Sequence, residues 1–178
     1  MTEKESLAAA LWEAGALAPG EGETPIRWNG AAALADEGLR ETLLDALEAL
    51  AREHYAAARA LLGGTWAELL SRRLGLPLAP DPLPERVLLV TDAVADGREL
   101  HALAAPLRAS GKGIAAAALF SFGFPSARRL LDRADVRLHW LTDLETAAAV
   151  ALQSGALDLE AYERLTAIFD DTGSEPYG

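Results

Sequence analysis

Two aspartates and a glycine follow a short apolar run near the middle of the chain, in a position where a ligand site could form. The apolar run is Val87 to Val90, and the polar segment Asp92 to Gly97 comes shortly after it. An uninterrupted apolar run of this length is typical of a strand buried on both faces, as in a parallel sheet. Such sheets bind ligands where a strand ends and the next helix begins. The segment therefore predicts an α/β fold and a candidate binding site.

The carboxylates of this segment can be interpreted in two ways. Asp92 and Asp96 could hold Mg²⁺, because carboxylate oxygens are ligands that this ion prefers. Alternatively, Asp96 and Glu99 have the spacing of a capping box, in which two side chains satisfy the free N–H groups at the start of a helix. We favour the capping interpretation, because pairs of carboxylates occur in many turns that bind no metal. A helix capped in this way would leave few N–H groups for a bound phosphate.

Periodicity and turn residues predict the elements that must position this segment. Helices are expected over residues 3–15, 36–53, 65–74, 97–109, 125–133, 144–153 and 158–169, and strands over residues 25–29, 87–91, 114–122 and 136–141. Residues 16–23 and 77–84 are expected to be loops, whereas residues 55–62 are compatible with either a helix or a short buried strand. The alternation of strands and helices in the second half predicts parallel strands with right-handed connections.

Composition restricts the compartment and the partners. A length of 178 residues suggests one domain, and the absence of cysteine excludes disulfides, a thiolate nucleophile and cysteine-based metal sites. Neither a signal peptide nor a membrane-spanning apolar run is visible, so we expect a cytoplasmic protein that does not contact membranes. The net charge of −11 argues against non-specific binding of nucleic acid.

Other notable residues suggest structural roles. His54, His101 and His139 lack the spacing of metal ligands, so we expect them to be packed or solvated. No nucleophile elbow is present. Ser121–Phe124 follows the end of a predicted strand, where a ligand could lie. Nevertheless, the four aromatic residues in this part of the chain are expected in the core or an interface, and they are Phe120, Phe122, Phe124 and Trp140.

The order of these segments resembles that of the type I phosphoribosyltransferases. Residues 87–99 are similar to the family's phosphoribosyl-diphosphate (PRPP) motif, in which an apolar strand precedes two acidic residues and a turn rich in Thr and Gly. Further segments resemble the orotate phosphoribosyltransferase branch, including its Gly-Gly diphosphate-binding turn, and they are residues 11–17, 24–29, 33–36, 63–64 and 74–78. In total the resemblance extends over roughly residues 7–150.

The resemblance implies a central, mostly parallel sheet with helices on both faces. It also implies a single domain of residues 1–170 with a reduced N-terminal hood (1–35), a flexible tail (171–178), a homodimer, and a PRPP or nucleotide ligand with Mg²⁺ if PRPP is bound. Asp92 would be the catalytic group of an active enzyme. The candidate ligand-binding positions that the resemblance implies are Gly63, Gly64, Thr91, Asp92, Ala93, Ala95, Asp96, Gly97 and Arg98.

The chain departs from the family pattern within the PRPP motif. Thr91 replaces the first of the two acidic residues, which in the family bind the ribose hydroxyls. Asp96 and Arg98 replace Thr and Gly in the turn that receives the 5′-phosphate. A carboxylate about 4 Å from a phosphate charge costs about 4 kcal/mol per charge pair at an effective dielectric constant of about 20. Arg98 would offset part of that cost.

Two further departures concern the diphosphate and the base. The family's mobile loop, rich in Lys and Arg and containing a His, is reduced here to the link Pro77–Arg86, whose only basic residue is Arg86. Ile26-Arg27 replaces an aromatic pair near the base, and Ser121–Phe124 replaces the Asp-Arg segment that meets the carboxylate of orotate. The residues of the family that neutralise charge and recognise the base are therefore mostly missing.

These departures lead to three hypotheses. We expect a protein resembling orotate phosphoribosyltransferase that has lost catalysis and acts as a binding, regulatory or structural paralogue. One alternative is an active enzyme that transfers phosphoribose from PRPP to orotate or another nucleobase, with Asp92 on the ribose and Gly63-Gly64 at the diphosphate. The other is a protein that binds nucleoside monophosphates, with Arg98 in place of the Thr-rich turn.

Overall fold

The structure, a computed structural model, describes residues 1–20 and 26–171 of the chain, with side chains described up to residue 167. Its centre is a parallel sheet of four strands in the order β3-β4-β5-β6, and a separate antiparallel hairpin is formed by β1 and β2. The strands are β1 (Leu17–Pro19), β2 (Ile26–Trp28), β3 (Ala60–Gly63), β4 (Arg86–Val94), β5 (Gly113–Ser121) and β6 (Arg137–Asp143). The α/β class and the parallel sheet predicted from the sequence are confirmed.

Helices cover both faces of the sheet. They are α1 (Glu3–Glu13), α2 (Gly30–Ala35), α3 (Glu37–His54), α4 (Thr65–Leu74), α5 (Arg98–Ala109), α6 (Pro125–Arg133), α7 (Leu144–Ser154) and α8 (Leu159–Asp171). Alternate residues of β4 enter different cores: Leu88 and Val90 pack into the larger one, whereas Val87 and Leu89 pack into the smaller one. This explains why the strand appears in the sequence as an unbroken apolar run. Among the described residues, no helix is long and apolar enough to span a membrane.

Several predicted elements have the predicted bounds, because local signals determine them. The helices at 65–74 and 125–133 are confirmed without change. Gly75 ends α4 in the left-handed conformation, and Asp36 caps α3 by accepting a hydrogen bond from the Leu39 N–H at 2.8 Å. The expectations for residues 21–25 and for the tail beyond residue 171 lie outside the described residues.

In the N-terminal half, the structure corrects one prediction and resolves one open alternative. Residues 16–23 were predicted to be a loop, but Leu17–Pro19 forms β1, which pairs with β2. Residues 55–59 leave the helix, and Ala60–Gly63 then forms β3 in parallel register with Val87–Val90. Both strands are too short to show alternation, and the pairing partner rather than local propensity determines them.

The apolar strand of the candidate site is longer than predicted. β4 continues to Val94, where Ala93 pairs with Phe120 and Val94 pairs with Ser121. The predicted polar turn at Asp92–Gly97 is therefore wrong in its first half. Backbone pairing with β5 extends the strand through Asp92, which the residue types alone do not indicate.

A tyrosine and two histidines connect α3 to the amino end of the sheet. The Tyr55 hydroxyl lies 2.7 Å from the Ala116 carbonyl oxygen and 2.6 Å from Nδ1 of His139. Since a carbonyl only accepts and a hydroxyl has one proton, Tyr55 donates to Ala116 and accepts from the Nδ1–H group of His139. His54 stacks on His139 with ring centroids 4.0 Å apart. Burial raises the pKa of Tyr55 to about 12, and burial together with His54 lowers the pKa of His139.

We expect the free energy of unfolding to decrease as the pH falls below about 6.5, the ordinary pKa of a histidine. The pKa of His139 is lower in the folded state, so the unfolded chain binds more protons in this range. The contribution of neutral His139 to the free energy of unfolding is fully present above the pKa that this residue has in the unfolded chain. It is lost as the pH falls through the pKa of His139 in the folded protein. Arg137 and His54 oppose the charged form of His139, and Glu53 favours it.

Urea denaturation at a series of pH values tests this expectation. The variant His139→Asn keeps an N–H donor near the Tyr55 hydroxyl but does not titrate, so its stability should change less between neutral and mildly acidic pH. An unchanged pH dependence in His139→Asn would assign the effect to other groups.

Candidate functional site

A cavity of about 230 Å³ lies at the carboxyl ends of β3 and β4, and we call it the carboxyl-edge cavity. Gly63 and Gly64 line it from the end of β3, and Thr91 and Asp92 line it from β4. These strands are parallel neighbours, so their ends meet at one edge of the sheet. The structure thus brings the Gly-Gly turn and the PRPP-like strand together, as the sequence suggested.

The other predicted positions do not line this cavity. They are Ala93, Ala95, Asp96, Gly97 and Arg98. The cavity is instead completed by residues that were not predicted, namely Leu34, Leu62, Thr65, Trp66, Leu89, Val90, Glu99, Leu100 and Leu103. The position of Thr65 and Trp66 directly after Gly63-Gly64 could have revealed them. Leu34 comes from α2, far away in sequence, and no local signal identifies it.

Asp96 occupies the start of α5. Its Oδ1 atom accepts a hydrogen bond from the Arg98 N–H at 3.0 Å, and its Oδ2 atom lies 3.4 Å from Arg98 Nε. The N-cap residue is Gly97, with a φ of 75°, and Glu99 lines the cavity. The predicted capping box is therefore wrong, although Asp96 does satisfy one helix N–H group. A carboxylate of the chain thus lies where a helix N-terminus would otherwise attract an anion.

Asp92 is bonded to the hairpin of the N-terminal region. Its Oδ2 atom accepts a hydrogen bond from Trp28 Nε1 at 3.2 Å, and its Oδ1 atom accepts one from the Ala93 N–H at 2.8 Å. Gly30 packs so closely that a Cβ atom there would collide with Asp92 Oδ2. Trp28 itself stacks on Phe120, with ring centroids 5.5 Å apart. Asp92, the acid that remains at the end of the PRPP-like strand, is therefore already hydrogen-bonded within the protein.

The charge of the carboxyl-edge cavity is negative. Asp92 and Glu99 line it, and no Arg, Lys or His from the described part of the chain does. Its other polar groups are neutral: the hydroxyls of Thr65 and Thr91, and the indole of Trp66. Trp66 is only 4% exposed, and its Nε1 has no hydrogen-bond partner among the described residues. This lining favours neutral or cationic ligands over phosphates.

The two aspartates do not fit a protein-held Mg²⁺. Both oxygens of Asp92 accept hydrogen bonds, and Asp96 is bonded and ion-paired to Arg98. Within the described ranges, no group of three or more His, Asp or Glu side chains could hold a metal ion. Both aspartates therefore already have partners within the protein.

Comparison with known proteins shows which proteins this chain resembles. No family model matches the chain. An orotate phosphoribosyltransferase of Bacillus caldolyticus is 28% identical over 186 residues, which cover 86% of this chain and 90% of that protein. The crystal structure of orotate phosphoribosyltransferase from Aeropyrum pernix matches with a TM-score of 0.72 at 25% identity, covering 84% of this chain and 99% of that one. In sequence and fold the chain is therefore similar to the type I phosphoribosyltransferases.

A second solved structure extends the match to nearly the whole fold. UMP synthase of Leishmania donovani has a TM-score of 0.78 at 15% identity, covering 96% of this chain and 43% of that one. At this identity the match shows the fold alone. The shared fold gives this chain the same order of strand, turn and helix as these proteins, while its site residues differ from the pattern described above.

The segment between α4 and β4, which contains the link Pro77–Arg86, is short and is hydrogen-bonded to the sheet. Leu61 of β3 donates its N–H to the Pro77 carbonyl at 3.0 Å, and the Ala79 N–H donates to the Leu61 carbonyl at 2.9 Å. Lys112 Nζ donates to the Leu83 carbonyl at 2.5 Å. The link thus continues the edge of the sheet beside β3. None of its residues lines the carboxyl-edge cavity.

Proposed function

We propose that this phosphoribosyltransferase-fold protein does not transfer phosphoribose and acts as a binding, regulatory or structural paralogue of orotate phosphoribosyltransferase. One observation carries the proposal: the cavity beside the PRPP-like motif is lined by two carboxylates and, among the described residues, by no cationic side chain. The hydrogen bond from Trp28 to Asp92 supports it, because the remaining acid must exchange this partner to bind a ribose.

Electrostatics argue against PRPP in this cavity. PRPP carries a 5′-phosphate and a diphosphate, and each contact of about 4 Å between like charges costs about 4 kcal/mol at an effective dielectric constant of about 20. A leaving diphosphate also needs cationic groups or a metal to neutralise its developing charge. Arg86 cannot supply this, because it begins β4 and therefore lies at the opposite edge of the sheet.

We expect no orotidylate formation from PRPP and orotate in the presence of Mg²⁺, and no calorimetric binding of PRPP. A chromatographic assay for orotidylate and a calorimetric titration of the purified chain test both expectations. The control is Asp92→Ala, which should behave like the natural chain in the turnover assay. Orotidylate formation that disappears in Asp92→Ala would overturn the proposal in favour of an active enzyme.

The same titration with nucleoside monophosphates examines the remaining alternative. Arg98 is 85% exposed on its side chain and pairs with Asp96, so it does not face the carboxyl-edge cavity. We therefore expect no tight monophosphate binding at this helix start. Tight binding without turnover, abolished by Arg98→Ala, would replace the proposal with a nucleotide-binding function.

We also propose that the protein forms a homodimer. The resemblance to orotate phosphoribosyltransferases supports this. Leu103 of α5 is 49% exposed and offers an apolar surface that a second copy could cover. Analytical ultracentrifugation over a range of concentrations tests it. A single monomeric species at every concentration would contradict the dimer.

A further inference from the structure

A second cavity, of about 380 Å³, lies at the amino ends of the strands, and we call it the amino-edge cavity. It is lined by Arg86 at the start of β4, Arg108 in the last turn of α5 and Arg137 at the start of β6. The chain has 27 acidic and 16 basic residues. This concave surface therefore carries three positively charged side chains, although the chain as a whole has a net negative charge.

Two of these arginines are not neutralised. Asp135 is the only acid that lines the amino-edge cavity within the described chain, and its carboxylate pairs with Arg108 at 2.8 Å. Arg86 and Arg137 form no ion pair and no side-chain hydrogen bond with any described residue, and both are exposed. Their positive charges are therefore available to a ligand.

The remaining groups of the cavity are fixed or neutral. Arg108 also donates to the Asp135 and Ile114 carbonyls, which holds its guanidinium in place, while its buried Nε has no partner in the described residues. The Tyr55 hydroxyl is bonded to Ala116 and His139. Two further acids lie beside lining residues: Glu53 lies beside His54, and Glu85 lines another cavity together with Arg86 and Lys112.

We propose that the amino-edge cavity binds a compact anion with at least two adjacent negative charges, such as the phosphate groups of a small metabolite, through Arg86 and Arg137. A guanidinium presents a planar fork of N–H donors that matches phosphate oxygens in a bidentate manner. Arg108, which is paired with Asp135, lines the same cavity. The site lies at the opposite edge of the sheet from Asp92, and it does not depend on the function proposed for the carboxyl-edge cavity.

Calorimetric titration of the full chain with inorganic triphosphate, at constant ionic strength, tests the proposal. We expect saturable binding that becomes weaker by about tenfold or more in the double variant Arg86→Gln/Arg137→Gln, because both charge-assisted guanidinium contacts with the anion are lost. The matched control is Arg128→Gln/Arg129→Gln, which removes the same charge from exposed positions on α6. This control should bind triphosphate with an affinity within about twofold of the natural chain, since only long-range attraction is lost.

Three results would overturn the proposal. The first is no binding heat in the natural chain, and the second is an equal loss of affinity in both double variants. The third is a loss in Arg98→Gln but not in Arg86→Gln/Arg137→Gln, which would place the anion at the start of α5. Circular dichroism and thermal unfolding verify that each variant is folded, and the orotidylate assay is independent of all three results.

Discussion

Replacing Gly63 with alanine is expected to lower the free energy of unfolding by about 3 kcal/mol or more. Gly63 has a φ of 146°, a conformation that residues with a Cβ atom rarely adopt. A Cβ atom there would also collide with the backbone carbonyl oxygen of Val90 in the neighbouring strand. Because the obstacle is backbone in the centre of the sheet, a side-chain rotation cannot relieve it.

Gly64→Ala provides the matched control. The next residue along the chain has open space around its Cβ position and a φ of −84°, so the same chemical change should alter the free energy of unfolding by less than about 1 kcal/mol. Urea denaturation followed by tryptophan fluorescence measures both variants. Equal stability of the two variants would show that β3 does not approach Val90 as described.

This pair of variants bears on how the Gly-Gly signal is interpreted. The resemblance associates these glycines with a diphosphate. The structure provides a reason for Gly63 that needs no ligand, because only glycine permits the close approach of β3 to β4 at the cavity edge. The presence of the motif is therefore compatible with a chain that no longer binds PRPP.

Replacing Phe120 with alanine is expected to lower the free energy of unfolding by about 3–5 kcal/mol, the usual cost of removing a buried aromatic ring. Phe120 is fully buried. Its ring stacks on Trp28 and meets Phe122 edge-to-face, with centroids 5.5 and 5.2 Å apart. Loss of the ring leaves a cavity and removes the surface that holds Trp28 against Asp92.

Trp28→Phe separates packing from hydrogen bonding in this cluster. It retains a ring to stack on Phe120 but removes the N–H donor to Asp92, so we expect a cost of about 1 kcal/mol, near that of a single hydrogen bond. Thermal and urea unfolding measure both variants. If Trp28→Phe costs as much as Phe120→Ala, the link to Asp92 rather than ring packing holds the hairpin on the sheet.

The residues Ser121–Phe124, which stand where the family has its base-recognition segment, form part of this aromatic cluster. Phe122 stacks on Phe124, with ring centroids 5.9 Å apart, directly after the end of β5. The buried Ser121 accepts a hydrogen bond from the Gly123 N–H at 3.1 Å and so stabilises its own turn. Residues that the resemblance places near the base therefore contact one another, which agrees with the proposed loss of orotate transfer.

The sequence by itself determined the elements with strong local signals. A continuous apolar run of this length is typical of a strand buried on both faces, so β4 and the parallel sheet could be predicted from Val87–Val90. Gly75, Asp36 and Pro125 begin or end helices through their own backbone preferences. The loss of Lys and Arg from the link before β4 could likewise be predicted, because it depends only on which residues are present.

Only the tertiary structure decided which of the remaining groups meet. The hydrogen bond between Trp28 and Asp92 joins residues 64 positions apart. The convergence of Arg86, Arg108 and Arg137 requires two strand starts and a helix end to lie at one edge of the sheet. Such contacts depend on long-range strand pairing and packing, which override local propensity and have no signal at the individual positions. For the same reason, the sequence placed Asp92 in a turn, and pairing with β5 placed it in a strand beside Trp28.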